Sequence, residues 1–210
     1  MDHVDGANSP ERGLRSYRIR FAVERDVPVV LRLIRDLAEY EKLAHEVIST
    51  EDDLRRTLFG PRPYAEVVLA ESVVPESTAE FAAESAEVST TAESAVASEV
   101  DSGSGPGVSP SVLGFALFFH NYSTFLGKPG LYLEDLFVRP ECRGLGVGAG
   151  LLRHLARLAK ERGCGRFEWS VLDWNQPAID FYRRLGAERM ENWRIFRVTG
   201  KALDELAGEP

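Results

Sequence analysis

The spacing of apolar and polar residues changes period along the chain, and each change marks an element. Tyr17-Arg-Ile-Arg-Phe-Ala-Val23 alternates apolar with basic residues, as a strand with one solvated face does. From Val27 the spacing turns helical. Val27, Val30, Leu31, Ile34, Leu37 and Ala38 make one stripe, with Asp26 at the cap and Pro28 in the first turn. Tyr40 and Glu41 lie at the end of this helix, just past the stripe. Ser49-Thr50 with Asp52 and Asp53 opens a second, short helix through Leu54 and Leu58, and Gly60-Pro61 stops it. Tyr64 to Val74 and Val112 to His120 read as strands on either side of a long polar segment. Leu131 to Val138 is apolar enough for a buried strand, yet it carries two adjacent acids, Glu134 and Asp135. Gly146 to Arg162 is helical, with Val147, Leu151, Leu152, Leu155, Leu158 and Ala159 on one side and Gly163 as a left-handed cap. Phe167, Trp169 and Val171 alternate in a strand ending at Leu172. Asn175 caps a short helix with Pro177 in its first turn, running through Phe181-Tyr182 to Leu185 and closed by Gly186. Trp193 to Val198 is expected as a final strand and Lys201 to Ala207 as a terminal helix. The order β-α-α-β-β-β-α-β-α-β predicts an α/β (α+β) fold, a mixed sheet with helices on its faces.

Composition changes this picture in one place. The chain of 210 residues suits one domain with a real core, and 44% apolar and aromatic residues fit a globular protein. Residues 1–14 read as a polar, disordered tail, and the domain as 15–210. Pro75 to Ser111 is rich in Ala, Ser, Glu and Gly, with an imperfect repeat (Ala83-Glu-Ser-Ala86, Ala92-Glu-Ser-Ala95). It cannot bury enough apolar surface to offset its ordering entropy, so 75–111 is expected as a disordered insertion in a hairpin. The formal net charge is −8, and seven of these negative charges lie in that insertion, which has no Lys or Arg. The remaining body is nearly neutral, so composition gives no steering field for a cationic substrate and no nucleic-acid partner. The first residues form no signal peptide and no apolar run approaches a membrane span, so no membrane partner is expected. Two cysteines, Cys142 and Cys164, form no disulfide framework, which makes a reducing cytoplasm the default. Four histidines share no ligand spacing, so no metal site is expected.

Candidate chemistry centres on the strand-turn-helix from Leu131 to Leu152. Arg143-Gly144-Leu145-Gly146-Val147-Gly148 stands between strand and helix. Glycines at a helix start let a ligand approach the backbone, where free N–H groups and the positive dipole end suit a phosphate. The first expectation is therefore a diphosphate ligand. Gly144-x-Gly146-x-x-Ala149 also satisfies the dinucleotide fingerprint. Yet Arg139 to Arg143 separate the strand from the first glycine, and no second run of alternating strands and helices follows. An NAD(P)-binding oxidoreductase stays a remote alternative. A phosphate-binding Walker loop is excluded because no Gly-Lys-Ser/Thr follows. A glycine-rich cap without any ligand is the plain structural alternative.

The signature Arg143-x-x-Gly146-x-Gly148 resembles the pyrophosphate site of the GNAT superfamily of acetyl-CoA-dependent N-acetyltransferases. Tyr132-Leu-Glu-Asp-Leu-Phe-Val138, Val171-Leu-Asp-Trp-Asn-Gln-Pro-Ala178, Phe181-Tyr182 and Leu33-Ile-Arg-Asp-Leu-Ala-Glu-Tyr-Glu-Lys-Leu43 resemble its diamine (spermidine/spermine) branch. The resemblance runs from Tyr17 to about Leu206 apart from the insertion. It implies a mostly antiparallel central sheet flanked by helices, acetyl-CoA as co-substrate, a small amine as acceptor and a homodimer. Acetyl-CoA would lie along Leu136, Phe137 and Val138 like an added strand. Its pyrophosphate would sit on Arg143, Gly144, Leu145, Gly146, Val147, Gly148 and Ala149, and its acetyl end near Asn175, Gln176, Pro177 and Ala178. Glu134 matches the acid that serves as base through water, and Tyr182 the general acid for the leaving thiolate. The same two residues also read plainly as an arginine partner and a core tyrosine. Asp135 faces the other side of a regular strand, and a bulge, as the resemblance implies, brings both acids to one pocket. Tyr40, Glu41, Glu191 and Trp193 match positions lining the acceptor channel, where acids and aromatics suit a cationic chain. The link from Gly186 to Trp193 is shorter than the family's, which displaces Glu191. The resemblance implies a polyamine, a diamine or a thialysine-like amino acid as acceptor, whose primary amine attacks the thioester directly in a ternary complex. A protein N-acetyltransferase and a non-catalytic coenzyme-A-binding module are the alternatives.

Overall fold

The computed structural model describes residues 17–73 and 112–208. The expectations for 1–14 and 75–111 lie outside the described residues. The chain divides into two compact units, Met1–Ser170 and Val171–Pro210.

The first unit holds β1 (Tyr17–Phe21), α1 (Val27–Tyr40), α2 (Glu51–Leu58), β2 (Glu66–Ser72), β3 (Val112–Ser123), β4 (Lys128–Val138), α3 (Val147–Glu161) and β5 (Phe167–Trp169). The strands form one sheet in the order β1-β2-β3-β4-β5; the first four are antiparallel neighbours, and β5 joins β4 in parallel. α1 and α2 cover one face, where Val27, Val30, Leu31, Leu33 and Leu54 pack with Val67, Leu69, Phe115 and Phe137. α3 covers the other face, with Leu151 and Leu155 fully buried. Covering on both faces explains why the middle of β2, Val67 to Ala70, and the first half of β3 are continuously apolar.

The basic residues of β1 are more than a solvated face. Arg20 donates to Asp26 Oδ2 at 2.6 Å and to Glu71 Oε1 at 2.6 Å, and Arg18 donates to Glu71 Oε2 at 3.0 Å. Burial opposes ionisation of Glu71, but the hydrogen bonds from Arg20 and Arg18 outweigh it and hold this carboxyl below its ordinary range. Asp26 departs from its expected part as a helix cap. Its carboxylate accepts from Arg20 and from the Val23 N–H at 2.8 Å, closing a single 3-10 turn over Glu24–Asp26. Thr50 does cap α2: its Oγ1 accepts from the Asp53 N–H at 3.2 Å, while Asp53 accepts from the Thr50 N–H at 3.1 Å. The α3 C-terminus is tied to β2 by paired contacts from Arg162 to Glu66, one of them 2.8 Å.

The second unit contains α4 (Gln176–Arg184) and α5 (Lys201–Ala207). Two expectations need correction. The strand expected to reach Leu172 stops at Trp169. No strand forms over 193–198, where Trp193, Ile195 and Phe196 are exposed. A strand needs a hydrogen-bonded neighbour, and neither segment pairs with one in the described ladders. The observed order is thus the expected one without its last strand. Gly163 (φ +69°) and Gly186 (φ +88°) close their helices in the left-handed conformation, as expected.

Candidate active site

The site begins with a one-residue irregularity in β4. On the β3 side Leu117 pairs with Asp135 and Phe118 pairs with Leu133, so Glu134 has no partner and forms a bulge. Cross-strand partners share a face, so an extra residue exchanges the faces of everything after it. Leu131 and Leu133 lie on the face of Phe118, toward α3, where the guanidinium of Arg162 stands 5.8 Å from the Phe118 ring. After the bulge, Asp135 and Phe137 lie on the α1 face with Leu117 and Phe115. The bulge therefore places Asp135 toward the C-terminal end of α1, where Tyr40 and Glu41 stand, and leaves Glu134 exposed.

Electrostatics at this point is unusual. Burial, then the neighbouring carboxylates of Glu134 and Glu41, push the Asp135 carboxyl up to about 7. Burial also raises Glu41. Such a carboxyl exchanges a proton near neutrality, as an ordinary surface aspartate does not.

The second feature is an open strand edge. β5 pairs with β4 only over Leu131 to Leu133. Beyond that, residues 134–138 have β3 on one side and, among the described residues, no strand on the other. Val138 O, which accepts from Arg143 Nε at 3.1 Å, belongs to this segment. Such an edge can take an extended ligand by main-chain hydrogen bonds.

The third feature is the turn. Gly144 (φ +78°) and Gly146 (φ +79°) are left-handed, and Gly146 caps α3 without a side chain. A Cβ at either glycine would meet nothing within 4 Å, so the space above both is open to a ligand. The first N–H groups of α3, from Val147 onward, lack acceptors within the helix and suit an anion. Tyr17 holds the turn in place by donating its hydroxyl to Gly146 O at 3.1 Å. It can approach because Gly150 has no side chain: a Cβ there would sit 2.1 Å from the Tyr17 hydroxyl. Gly150→Ala is expected to displace Tyr17 and lower the melting temperature by several degrees; differential scanning calorimetry checks this. Arg143 lies with its guanidinium 4.6 Å from the Tyr40 ring centroid and 5.8 Å from that of Phe137, which joins the turn to the α1 end.

Sequence reasoning missed a cleft of about 330 Å³ beside this cluster, lined by Asp36, Glu39, Tyr40, Phe137, Arg139 and Glu141. The signal was present. Asp36, Glu39 and Tyr40 share one helix face at spacings of three and four, and Arg139 continues the face of Asp135 and Phe137.

The remaining candidates lie in the second unit. Asn175 is buried, and its Oδ1 accepts from the Ala178 N–H at 3.3 Å, capping α4 ahead of Gln176 and Pro177. Tyr182 is half-buried, its ring 5.4 Å from that of Phe181. Glu191 faces Arg189 at 3.5 Å, and Trp193 is 69% exposed. Among the described residues no group of three His, Cys, Asp or Glu is placed to hold a metal ion.

A carboxyl raised toward neutrality thus lies next to a strand edge, with an anion-receptive glycine turn beyond it. Residues 66–187 match the family described as Acetyltransferase (GNAT) family. The chain is 37% identical over 194 residues to a thialysine N-epsilon-acetyltransferase of Bos taurus, covering 91% of this chain and 97% of that protein. It is 38% identical over 198 residues to the L-ornithine N5-acetyltransferase of Arabidopsis thaliana, covering 90% and 87%. Among solved structures, an integron cassette protein from the mobile metagenome of V. cholerae superposes with a TM-score of 0.65 at 22% identity, covering 91% of this chain and 98% of that one. The chain belongs to the GNAT acetyltransferase family, and it is an N-acetyltransferase.

Proposed function

We propose that the protein moves an acetyl group from acetyl-CoA to the terminal amine of a small cationic acceptor. A diamine, a polyamine or a thialysine-like amino acid fits this description. The observation that carries the reading is the Glu134 bulge, which turns Asp135 toward Glu41 beside the open edge of β4. The thialysine and ornithine acetyltransferases among its relatives act on amines of small amino acids, in keeping with that acidic pocket.

In this reading the main chain of Leu136, Phe137 and Val138 holds the donor as an added strand, and the segment Arg143 to Ala149 holds its pyrophosphate. Asn175 to Ala178 meet its acyl end. The donor supplies a thioester carbonyl that an amine can attack directly. A primary ammonium loses its proton near pH 10.4, so the pocket must provide an acceptor for it. Glu134 takes that proton through water, with Asp135 beside it as a second carboxyl able to hold a proton near neutrality. Tyr182, protonated at neutral pH, supplies a proton to the departing thiolate. Tyr40, Glu41, Asp135, Glu191 and Trp193 contact the acceptor. We include in this reading a homodimer in the cytoplasm; light scattering on the purified protein should give twice the chain mass. No helix among the described residues is long and apolar enough to cross a membrane.

The test is a screen of small amines with acetyl-CoA, following release of free thiol. Turnover with terminal diamines or diamino acids supports the reading, whereas thiol release with no small amine removes it. Gly146→Val adds a branched side chain at a left-handed position and fills the open space above the turn. It is expected to raise the KM for acetyl-CoA at least tenfold. An unchanged acetyl-CoA affinity by calorimetry in a folded variant would contradict the phosphate role of the turn.

A further inference from the structure

Arg139 stands in the cleft beside the acids in an uncommon state. Its Nε is buried with no hydrogen-bond partner, and among the described residues its guanidinium joins no ion pair. Asp36, Glu39 and Glu141 line the same cleft but form no ion pair with it. A buried polar atom without a partner costs about 1–3 kcal/mol, more for a charged group, unless a ligand satisfies it. A cleft built only for di- or polycations gains nothing from an arginine in its lining, whose charge repels them.

We propose that this cleft holds the charged head of an α-amino acid acceptor, with Arg139 on its carboxylate and Asp36 and Glu39 on its α-ammonium, while the side-chain amine points toward Asp135. The inference rests on the acetyl-transfer reading above and narrows its acceptor to diamino acids. Both charges of the head group find opposite partners within one cleft, and the planar guanidinium fits a carboxylate in a bidentate fashion. Phe137 and Tyr40 supply an apolar wall for the methylenes. The alignment follows from β4: after the bulge Asp135 and Phe137 share a face, and Arg139 continues the ladder by donating its N–H to Leu113 O at 3.0 Å. Four steps of extended chain, about 3.3 Å each, separate Asp135 from Arg139 by about 13 Å. A diamino acid spans roughly 6–8 Å from carboxyl carbon to terminal nitrogen, and the two protein side chains cover the remainder.

The experiment compares kcat/KM, at saturating acetyl-CoA, for ornithine and lysine against putrescine and cadaverine, the same chains without the carboxylate. The wild-type protein should prefer the amino acids. Arg139→Gln should lower kcat/KM for the amino acids by about 10–100-fold. It should raise kcat/KM for the diamines, which no longer meet a like charge. Arg139→Lys should keep part of the preference, and thermal melts of both variants show whether they fold. Equal changes for amino acids and diamines would overturn the proposal, as would a higher KM for acetyl-CoA with the preference intact, which gives Arg139 to a coenzyme phosphate. A wild-type protein that prefers diamines overturns it while leaving acetyl transfer to small amines standing. Absence of turnover with every amine removes both.

Discussion

Tyr182→Phe should reduce turnover by about 10²–10⁴-fold, the usual worth of one general acid, and leave acetyl-CoA affinity nearly intact. The change removes only the hydroxyl. The ring that packs 5.4 Å from Phe181 stays, and α4 keeps its Asn175 cap, so the melting temperature should hardly move. The loss should fall on kcat rather than on KM for either substrate, because a proton given to the leaving thiolate matters only as the bond breaks. It should also persist at alkaline pH: raising the pH frees more amine but supplies no acid. Single-turnover measurement of thiol release reads this step directly. If Tyr182→Phe keeps near-full turnover at saturating substrates, the phenol is a packing residue and water protonates the thiolate.

The parts of this molecule that the sequence revealed are those set by local chemistry. The stripe of α1, the Thr50 and Asn175 caps, the left-handed glycines at 163 and 186, and the glycine turn before α3 all follow from residues within a turn or two of one another. Tertiary partners decided the rest. Asp26 looks like a helix cap, but Arg20 offers a charge-assisted bond that a cap position cannot match. The apolar alternation of Trp193 to Val198 suggests a strand, yet a strand exists only with a neighbour, and no local pattern supplies one. The bulge is the instructive case. Leu131, Leu133, Asp135 and Phe137 read as one face by simple alternation. The family resemblance implies a bulge here, but only the β3 register shows that Glu134 is the extra, exposed residue and that Asp135 has changed sides. For the Arg139 cleft the sequence shows each half of the lining as a face, but not that the end of α1 and the segment about a hundred residues later meet.

Glu134→Gln and Asp135→Asn should separate the two acids by their pH profiles. In the folded protein Asp135 titrates at about 7, held up by burial and by Glu134 and Glu41, whereas in the unfolded chain an aspartate titrates near 3.9. At pH below about 4 the carboxyl is protonated in both states and its stabilising effect is fully present. Between about 4 and 7 the unfolded chain releases the proton while the folded one keeps it, so stability falls as pH rises and levels off above 7. Asp135→Asn is neutral throughout and should flatten this slope, which melts at pH 5 and pH 8 can measure. The activity profile carries a second signature. If the ionised Asp135 is needed to draw in the cationic acceptor, wild-type kcat/KM rises through about pH 7, and Asp135→Asn abolishes that limb. Glu134→Gln removes the proposed base, so its loss should be greatest at neutral pH and partly recovered in alkali, where more amine is already neutral. It also removes one of the charges that raise Asp135, so the acid limb should move to lower pH. An acid limb that stays in place in Glu134→Gln would mean that the two carboxyls do not sense one another, and full turnover of that variant at neutral pH would remove Glu134 from the proton path.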